Sequence, residues 1–236
     1  LLPEGALQLI CGQTYDLFEQ LGPQDTVTFT GSAATGQTLR QHPHLNRHSI
    51  AFTMEADSVN SAILVEDAND ATIDLFVREV FREMTSKAGQ KCTAIRRAFV
   101  PADLIDEVQQ RLITKLAQVV VGDPQRDNVT MGALASLKQK HDVTEKVEQL
   151  ARQADVVFGS HLRNDFVIEA AQPERGAFYP PTLLRCNEPD TADVVHQTEA
   201  FGPVCTLMPY QNLDQLADLV ARGEGSLVAS IVRNTD

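Results

Sequence analysis

The 236-residue sequence is poor in paired cysteines, in positive charge and in long apolar runs. Its four cysteines lie far apart and form no C-x-x-C pair, which excludes a zinc ribbon and a thioredoxin motif. Four cysteines in a chain of this length do not form a disulfide scaffold, so we expect a reducing, cytoplasmic setting. No apolar run approaches the roughly 18 residues of a membrane-spanning helix. The sequence therefore predicts no membrane partner.

Basic residues are outnumbered by acidic ones, 20 against 32, which gives a formal net charge of −12. A protein that wraps duplex nucleic acid needs a cationic face to neutralise phosphates, so this charge argues against a nucleic-acid partner. An anionic cofactor remains possible, because the backbone N–H groups at the start of a single helix can bind it. Hydrophobic residues make up 43% of the chain and charged residues 22%, so we expect an ordinary globular protein.

Strand-like and helix-like segments alternate along the chain, with short Gly, Pro or Asp breaks between them. This pattern is typical of an α/β fold with much parallel sheet. Helices are predicted at 14–21, 33–40, 70–87, 138–154 and 213–222, and a further one is opened by Pro101 and ends before Gly122. Strands are predicted at 7–11, 26–30, 49–55, 62–65, 94–100, 156–158, 182–186, 204–209 and 226–232.

A glycine-serine turn, Gly31-Ser32, follows the strand at 26–30 and opens the helix at 33–40. Residues 31–38 match the phosphate-binding pattern G-x-x-x-x-G-K-[ST], except that Gln37 replaces the lysine. A neutral amide cannot compensate β- and γ-phosphate charge, so a P-loop-like nucleotide-binding module is a disfavoured alternative. A diphosphate needs only helix-terminal N–H groups and a hydroxyl such as that of Ser32. On this segment alone, an ordinary βα turn is an equally good interpretation.

Cys92 lies in a loop of small residues between the helix at 70–87 and the strand at 94–100. Such a loop lets the backbone come close to a ligand. The neighbouring basic side chains that would favour a thiolate are Lys87, Lys91, Arg96 and Arg97. The alternative is a buried structural cysteine, which is the commoner fate of a free thiol.

Two carboxylates and one aromatic ring are further candidates. Glu55 ends the strand at 49–55 and can act as a general base, although most glutamates at strand ends are simply solvated. Glu199 and Phe201 precede a Gly-Pro break, where the acid can hold ribose hydroxyls and the ring can pack on a planar ligand. The alternative for this segment is a tight turn with a core phenylalanine.

Three histidines, His42, His44 and His48, fall within seven residues. Carboxylates and thiols at ligand spacing are lacking nearby, and Pro43 disrupts a shared face. The segment is therefore expected to be a solvated loop, and we predict no metal site.

Taken in order, four motifs resemble those of the aldehyde dehydrogenase superfamily. They are Phe29-Thr30-Gly31-Ser32, Glu55, Gly89-Gln90-Lys91-Cys92 and Glu199-Ala200-Phe201-Gly202-Pro203. The resemblance runs over the whole chain and implies an aldehyde dehydrogenase-like α/β fold. Residues 1–57 would be the C-terminal part of a Rossmann-like NAD(P)-binding domain. Residues 58–236 would be the thiol-bearing catalytic domain, truncated at its C-terminal end.

Two departures from the common pattern point to one branch of this family. Residues 55–59, Glu-Ala-Asp-Ser-Val, stand where most members have Glu-Leu-Gly-Gly-Lys, and this segment and the thiol loop at 84–97 resemble the bifunctional proteins of phenylacetic acid degradation. In that branch a hydratase-like domain opens the ring of oxepin-CoA, and the dehydrogenase half oxidises the resulting semialdehyde. The resemblance implies NADP- or NAD-dependent oxidation of 3-oxo-5,6-dehydrosuberyl-CoA semialdehyde, with a CoA-acylating dehydrogenase as the alternative.

The resemblance also implies a role for each candidate residue. Cys92 would be the nucleophile that carries a thioester, and Glu55 would activate the water that hydrolyses it. Gly31 and Ser32 would face the cofactor diphosphate, while Glu199 would bind the nicotinamide ribose and Phe201 the nicotinamide ring. A homo-oligomer is implied too. Family segments expected before and after these residues would complete the cofactor site and the catalytic domain, so we expect the chain alone to turn over aldehydes poorly or not at all.

Overall fold

The computed structural model describes residues 3–12, 16–160 and 167–234. It divides the chain into two compact units, Leu1–Asp57 and Ser58–Asp236. The strands are β1 (Thr26–Gly31), β2 (Ala51–Ala56), β3 (Ser61–Leu64), β4 (Arg97–Pro101), β5 (Val121–Gly122), β6 (Asp155–Phe158), β7 (Ile168–Glu169), β8 (Thr182–Arg185), β9 (Val204–Tyr210) and β10 (Ala229–Val232). The α-helices are α1 (Ala33–Arg40), α2 (Pro43–Arg47), α3 (Asp70–Thr85), α4 (Ile105–Leu116), α5 (Leu137–Leu150), α6 (Val194–Gln197) and α7 (Leu213–Ala221). Short 3₁₀ turns lie at Leu17–Gln20 and Pro173–Arg175, and a tight turn with non-helical backbone angles lies at Ser86–Gly89.

The first unit is a strand–helix–strand arrangement with a small core. Strands β1 and β2 pair in parallel, and Thr30 lies opposite Glu55. Helix α1 begins after Ser32, whose Oγ accepts a hydrogen bond from the backbone N–H of Thr35 (3.3 Å). Gly36 lets α1 approach β2 closely, because a Cβ there would lie 2.2 Å from the sulfur of Met54. The fully buried residues described in this unit are Gly36, Leu45 and Ile50.

The second unit is built on a six-stranded sheet with the order β10-β3-β4-β9-β8-β6. All neighbours pair in parallel except β6, which is antiparallel to β8. Side chains alternate between the two faces, so Ala98 and Val100 pack with α3 and α4, whereas Phe99 packs with α5 and α7. Helices therefore cover both faces, which is the usual arrangement for a mostly parallel sheet.

Several boundaries differ from those that the sequence predicts. No strand forms at 7–11; Leu7 and Leu9 are 81% and 89% exposed and have no neighbouring strand, which an extended segment needs for its backbone hydrogen bonds. Of the helix expected at 14–21, residues 14 and 15 lie outside the described residues, and only the 3₁₀ turn Leu17–Gln20 forms. Pro101 ends β4 rather than opening a helix, and lies opposite Tyr210 of β9.

The histidine segment forms a helix, α2, and not the loop that its composition suggests. Pro43 stands in its first turn, where a missing N–H costs nothing. The Nδ1 atom of His42 accepts from the N–H of His44, and the Nε2 atom of His44 lies 2.8 Å from the carbonyl oxygen of Leu21. These histidines therefore serve the local structure. In the described parts of the chain no helix is long and apolar enough to cross a membrane.

Candidate functional site

The chain turns sharply between α3 and Cys92. Lys87, Ala88 and Gly89 all have left-handed backbone angles, with φ of 52°, 51° and 68°. This conformation is costly for residues with a Cβ, so the surrounding contacts must hold the turn. At Gly89 only glycine fits, because a Cβ would lie 2.1 Å from the carbonyl oxygen of Gly202. The turn therefore packs directly against the Gly-Pro segment that the sequence singles out. Cys92, which is exposed, follows three residues after the turn.

The side chain of Arg96 bonds to both the turn and the Gly-Pro segment. Its side chain is 4% exposed, and its guanidinium donates to the carbonyl oxygens of Gly202 (2.7 Å) and Gly89 (2.8 Å). Its Nε lies 3.5 Å from Oε1 of Glu199. Burial lowers the pKa of Arg96, and the negative charge of Glu199 offsets part of that effect. The rigid fork of an arginine suits this arrangement, in which several acceptors are fixed at once.

Glu199 and Phe201 lie in the segment that this network fixes. Oε2 of Glu199 accepts from the backbone N–H of Ser58 (3.0 Å), and the side chain is 10% exposed. The ring of Phe201 is partly exposed, with its centroid 5.4 Å from the guanidinium carbon of Arg96. Gln90 donates to the carbonyl oxygen of Phe201 (3.1 Å). The structure thus brings the loop of Cys92, the carboxylate of Glu199 and the ring of Phe201 into one cluster.

Asn60 and Ser58 are functional candidates that the sequence analysis missed. The amide nitrogen of Asn60 donates to the carbonyl oxygens of Cys92 (2.8 Å) and Ala94 (3.0 Å). The available signal was the polar residues at 57, 58 and 60, just before the buried strand β3, in the segment that departs from the family pattern. Their role could not be assigned from the sequence, because the partners of the two side chains lie far along the chain.

The positive field expected around Cys92 is weaker than the sequence suggests. Lys91 bonds both carboxylate oxygens of Glu83, at 2.7 and 2.8 Å. Arg97 donates to the carbonyl oxygens of Val59 (2.9 Å) and Leu219 (3.0 Å) in the interior. These charges are engaged by partners of their own, so they serve the fold around the thiol.

The four cysteines separate into two classes. Cys186 and Cys205 are buried, and burial raises the pKa of both thiols, that of Cys205 to about 12. Cys11 and Cys92 are exposed. Cys186 and Cys205 are therefore buried structural cysteines, whereas the exposed Cys92 is not.

In the first unit, the candidate residues lie at one edge of the strand pair. The parallel register places Gly31 opposite Ala56, so the Ser32 turn and Glu55 lie at the carboxyl ends of neighbouring strands. Helix α1 already begins at Ala33, and Gly36 is buried inside it. The residues that would form the phosphate loop of a triphosphatase are therefore helical, which contradicts the P-loop-like alternative. The helix start with an exposed Ser32 still suits a diphosphate.

An open cavity of about 450 Å³ lies beside the thiol turn in the second unit. It is lined by residues 85–88, Gln90, residues 130–133 and Ala135. Among the described residues, no group of three or more His, Cys, Asp or Glu side chains is placed to hold a metal ion.

The chain matches known proteins over nearly its whole length. The family model for the aldehyde dehydrogenase family covers residues 1–235. The chain is 42% identical over 233 residues to 3,4-dehydroadipyl-CoA semialdehyde dehydrogenase of Aromatoleum evansii, a match that covers 98% of this chain and 45% of that protein. A stretch of 103 residues is 44% identical to Protein MaoC of Klebsiella aerogenes, and covers 43% of this chain and 28% of that one.

Solved structures that superpose on this chain are also aldehyde dehydrogenases. A mutant of aldehyde dehydrogenase from Bacillus cereus superposes with a TM-score of 0.72 at 26% identity, covering 89% of this chain and 40% of that one. Betaine aldehyde dehydrogenase of Staphylococcus aureus, solved in complex with NAD⁺, superposes with a TM-score of 0.76 at 22% identity, covering 89% and 39%. The aldehyde dehydrogenase-like α/β fold expected from the sequence is confirmed. The chain spans less than half the length of these relatives. It belongs to the aldehyde dehydrogenase family.

Proposed function

We propose that the full-length protein carrying this chain oxidises an aldehyde to a carboxylic acid through a thioester on Cys92. The observation that carries the proposal is an exposed Cys92, three residues after a left-handed turn that Arg96 and Gly89 hold against the Glu199–Pro203 segment. Strained backbone of this kind is typical of functional sites. Family membership supplies the reaction class.

The chain's own residues account for the covalent steps. The Cys92 thiolate attacks the aldehyde carbon, and the backbone N–H of Cys92 stabilises the oxyanion that forms. A nicotinamide cofactor, when bound, supplies the hydride acceptor. Water then attacks the thioester carbon while Glu55 takes its proton, and the acid leaves as the thiol is restored. One aldehyde and one water thus give one acid, one hydride that the cofactor would accept, and one proton.

Each unit, taken by itself, offers residues suited to part of NAD or NADP. The N–H groups at the start of α1, with Gly31 and Ser32, would take the diphosphate. Phe201 offers a partly exposed ring for the nicotinamide. A ribose at Glu199 would share this carboxylate with the Ser58 N–H and Arg96, and a carboxylate has lone pairs enough for that. We propose NADP as the physiological cofactor, as in the branch that the sequence resembles.

The proposed substrate is a CoA-linked semialdehyde, 3-oxo-5,6-dehydrosuberyl-CoA semialdehyde. The 42% identity to an enzyme named for another CoA semialdehyde supports this class. The match to Protein MaoC supports a hydratase-like domain elsewhere in the full-length protein.

We also propose that the protein forms a homo-oligomer and works in the reducing cytoplasm, and the four free thiols are consistent with such surroundings. Product analysis with and without free CoA separates hydrolysis from the acylating alternative.

The proposal is tested by replacing the nucleophile in the full-length protein. Cys92→Ser should lower aldehyde-dependent NADPH formation by about 10³-fold or more, because a serine hydroxyl ionises far less readily than a thiol and is the weaker nucleophile. Cys11→Ser, which removes the other exposed thiol, is the matched control and should retain wild-type turnover. Wild-type activity in Cys92→Ser would overturn the proposal.

A second variant separates the two half-reactions. Glu55→Gln should still release about one equivalent of NADPH per active site in a burst, since acylation does not need the base that activates water. Steady-state turnover should then fall by at least about 10²-fold. Unchanged steady-state turnover would contradict the role given to Glu55.

A further inference from the structure

We infer that Asn60, held by Ser58, is a positioning residue for Cys92; the inference rests on the proposed role of Cys92 as nucleophile. Asn60 is completely buried, at 0% exposure. Its amide nitrogen donates two hydrogen bonds to the thiol loop, one to the carbonyl oxygen of Cys92 (2.8 Å) and one to that of Ala94 (3.0 Å). Its amide oxygen accepts from Ser58 Oγ (2.5 Å) and from the backbone N–H of Val228 (2.8 Å).

These four bonds use the full hydrogen-bonding capacity of the asparagine side chain. They also fix its orientation, because a flipped amide would bring its oxygen against two carbonyl oxygens and its NH₂ group against the Val228 N–H. The backbone carbonyl of Asn60 accepts from the N–H groups of Arg96 and Arg97, both at 3.0 Å. One residue thus fixes the thiol loop through its side chain and its main chain.

The bond to the Cys92 carbonyl bears directly on the nucleophile. It fixes the peptide plane that follows Cys92, and so restricts rotation about the bond between the Cα and the carbonyl carbon of this residue. The main chain at Cys92, from which the thiol projects, is thereby restrained although the residue itself is exposed. Preorganisation of this kind contributes to catalysis because reacting atoms tolerate little misplacement.

Ser58 connects this support to the cluster around Glu199. Its hydroxyl donates to Asn60, while its backbone N–H donates to Oε2 of Glu199 (3.0 Å). The hydroxyl also accepts from the N–H of Leu227 (3.0 Å). Ser58 stands where the common family pattern has the second glycine of Gly-Gly-Lys, and a glycine has no hydroxyl to offer. The departure in this segment therefore supplies a support for the thiol loop.

The test uses Ser58→Ala and Asn60→Asp in the full-length protein, with Tyr210→Phe as the matched control. Tyr210 loses an equally buried hydroxyl bond, to the carbonyl oxygen of Leu64 (2.7 Å), away from the thiol loop. We measure hydrogen exchange of the peptide 86–96, the melting temperature, and kcat and KM for the aldehyde. Exchange needs no substrate, so it reports on the loop whether or not the proposed activity exists.

We expect exchange in the peptide 86–96 to accelerate about tenfold in Ser58→Ala and more in Asn60→Asp, as each lost bond frees the loop. The value of kcat should fall by a similar factor, with KM changed by less than about twofold. Tyr210→Phe should lower the melting temperature and leave exchange of this peptide and kcat unchanged. Should Asn60→Asp fail to fold, Ser58→Ala decides alone.

Unchanged exchange of the peptide 86–96 in Ser58→Ala, beside a lowered melting temperature, would overturn the inference. Accelerated exchange in a protein whose wild type forms no NAD(P)H from aldehydes would support the positioning of Cys92 and defeat the proposed function. The two hypotheses can therefore fail separately.

Discussion

At the residue scale, two adjacent buried arginines serve different networks. Arg96 bonds the carbonyl oxygens of Gly89 and Gly202 beside the thiol loop. Arg97 bonds the carbonyl oxygen of Leu219 and lies 3.1 Å from the Nδ1 atom of His196. Arg96 lies just before β4 and Arg97 is its first residue, and their side chains bond to different partners, so two adjacent arginines support two separate parts of the fold.

We predict that Arg96→Lys and Arg97→Lys both destabilise the protein, by about 2–4 kcal/mol each, since an ammonium cannot replace a buried fork that bonds several acceptors. Only Arg96→Lys should also lower kcat, by about tenfold, because only Arg96 contacts the thiol loop and Glu199. Chemical denaturation and steady-state kinetics on both variants provide the measurement. An equal loss of kcat in Arg97→Lys would show that the kinetic effect follows stability alone.

His196 gives the second unit a dependence on pH. Burial lowers its pKa to about 4, and the nearby charge of Arg97 acts in the same direction. Its Nε2 atom lies 2.9 Å from the carbonyl oxygen of Pro189, so the neutral ring donates there and accepts from Arg97 at Nδ1. Between about pH 4 and 6.5 the unfolded chain therefore binds more protons than the folded one.

We predict that this histidine contributes stability above pH 6.5 that is lost as the pH falls. From pH 7 to pH 5 the loss should be about 2 kcal/mol of unfolding free energy. His196→Gln keeps an amide donor and acceptor without this titration, so its stability should fall less over the same range. The measurement is urea denaturation at pH 7, 6 and 5; parallel curves for the two proteins would contradict the assignment.

At the element scale, the turn after α3 depends on one glycine. Gly89→Ala would place a methyl group 2.1 Å from the Gly202 carbonyl oxygen at a φ of 68°, so the turn must shift. We predict a destabilisation of at least about 2 kcal/mol and loss of most of the activity of the full-length protein. Gly225→Ala is the control, because a Cβ there meets nothing within 4 Å. Thermal melting and turnover of both variants test this, and a Gly89→Ala protein as active as Gly225→Ala would refute it.

The sequence predicted elements well where one apolar stripe determines them. Helices α3, α5 and α7, which have such a stripe, differ from their predicted bounds by a few residues, and α1, predicted from the Gly31-Ser32 turn before it, has the expected bounds of 33–40. It failed at Pro101, because proline suits both a helix start and a strand end and only the pairing with β9 decides between them. It failed at 7–11 because alternation indicates a strand only if a partner strand exists.

For the candidate site, sequence motifs identified residue types but not their contacts. Asn60 and Cys92 are 32 positions apart, Arg96 and Gly202 are 106, and Ser58 and Glu199 are 141. Contacts at such separations follow from the strand order β3-β4-β9, in which the loops that leave or enter these strands become neighbours. Spacing along the chain carries no signal of that order.

At the scale of the whole molecule, the two units differ in their capacity to fold. The second unit buries two hydrophobic clusters on the faces of a six-stranded sheet, whereas the described part of the first unit buries only Gly36, Leu45 and Ile50 fully. Two strands without a larger core are not stable in water. We therefore expect the second unit to have a much larger free energy of unfolding than the first.

We predict that residues 58–236, produced alone, unfold in one cooperative transition, and that residues 1–57 alone show none. Circular dichroism during thermal melting of the two pieces and of the intact chain provides the measurement. A cooperative transition in the 1–57 piece would show that its small core suffices.

The position of β10 has a consequence for biosynthesis. This strand, the last described, pairs with β3, the first strand of its unit, and Val228 just before it bonds Asn60, 168 residues earlier. The ribosome makes the chain from its N-terminus, so Cys92 emerges long before the residues that complete its support. During that interval Asn60 is without the Val228 N–H that helps to hold its amide, so the thiol loop gains its final order only after the last strand of the unit has been synthesised.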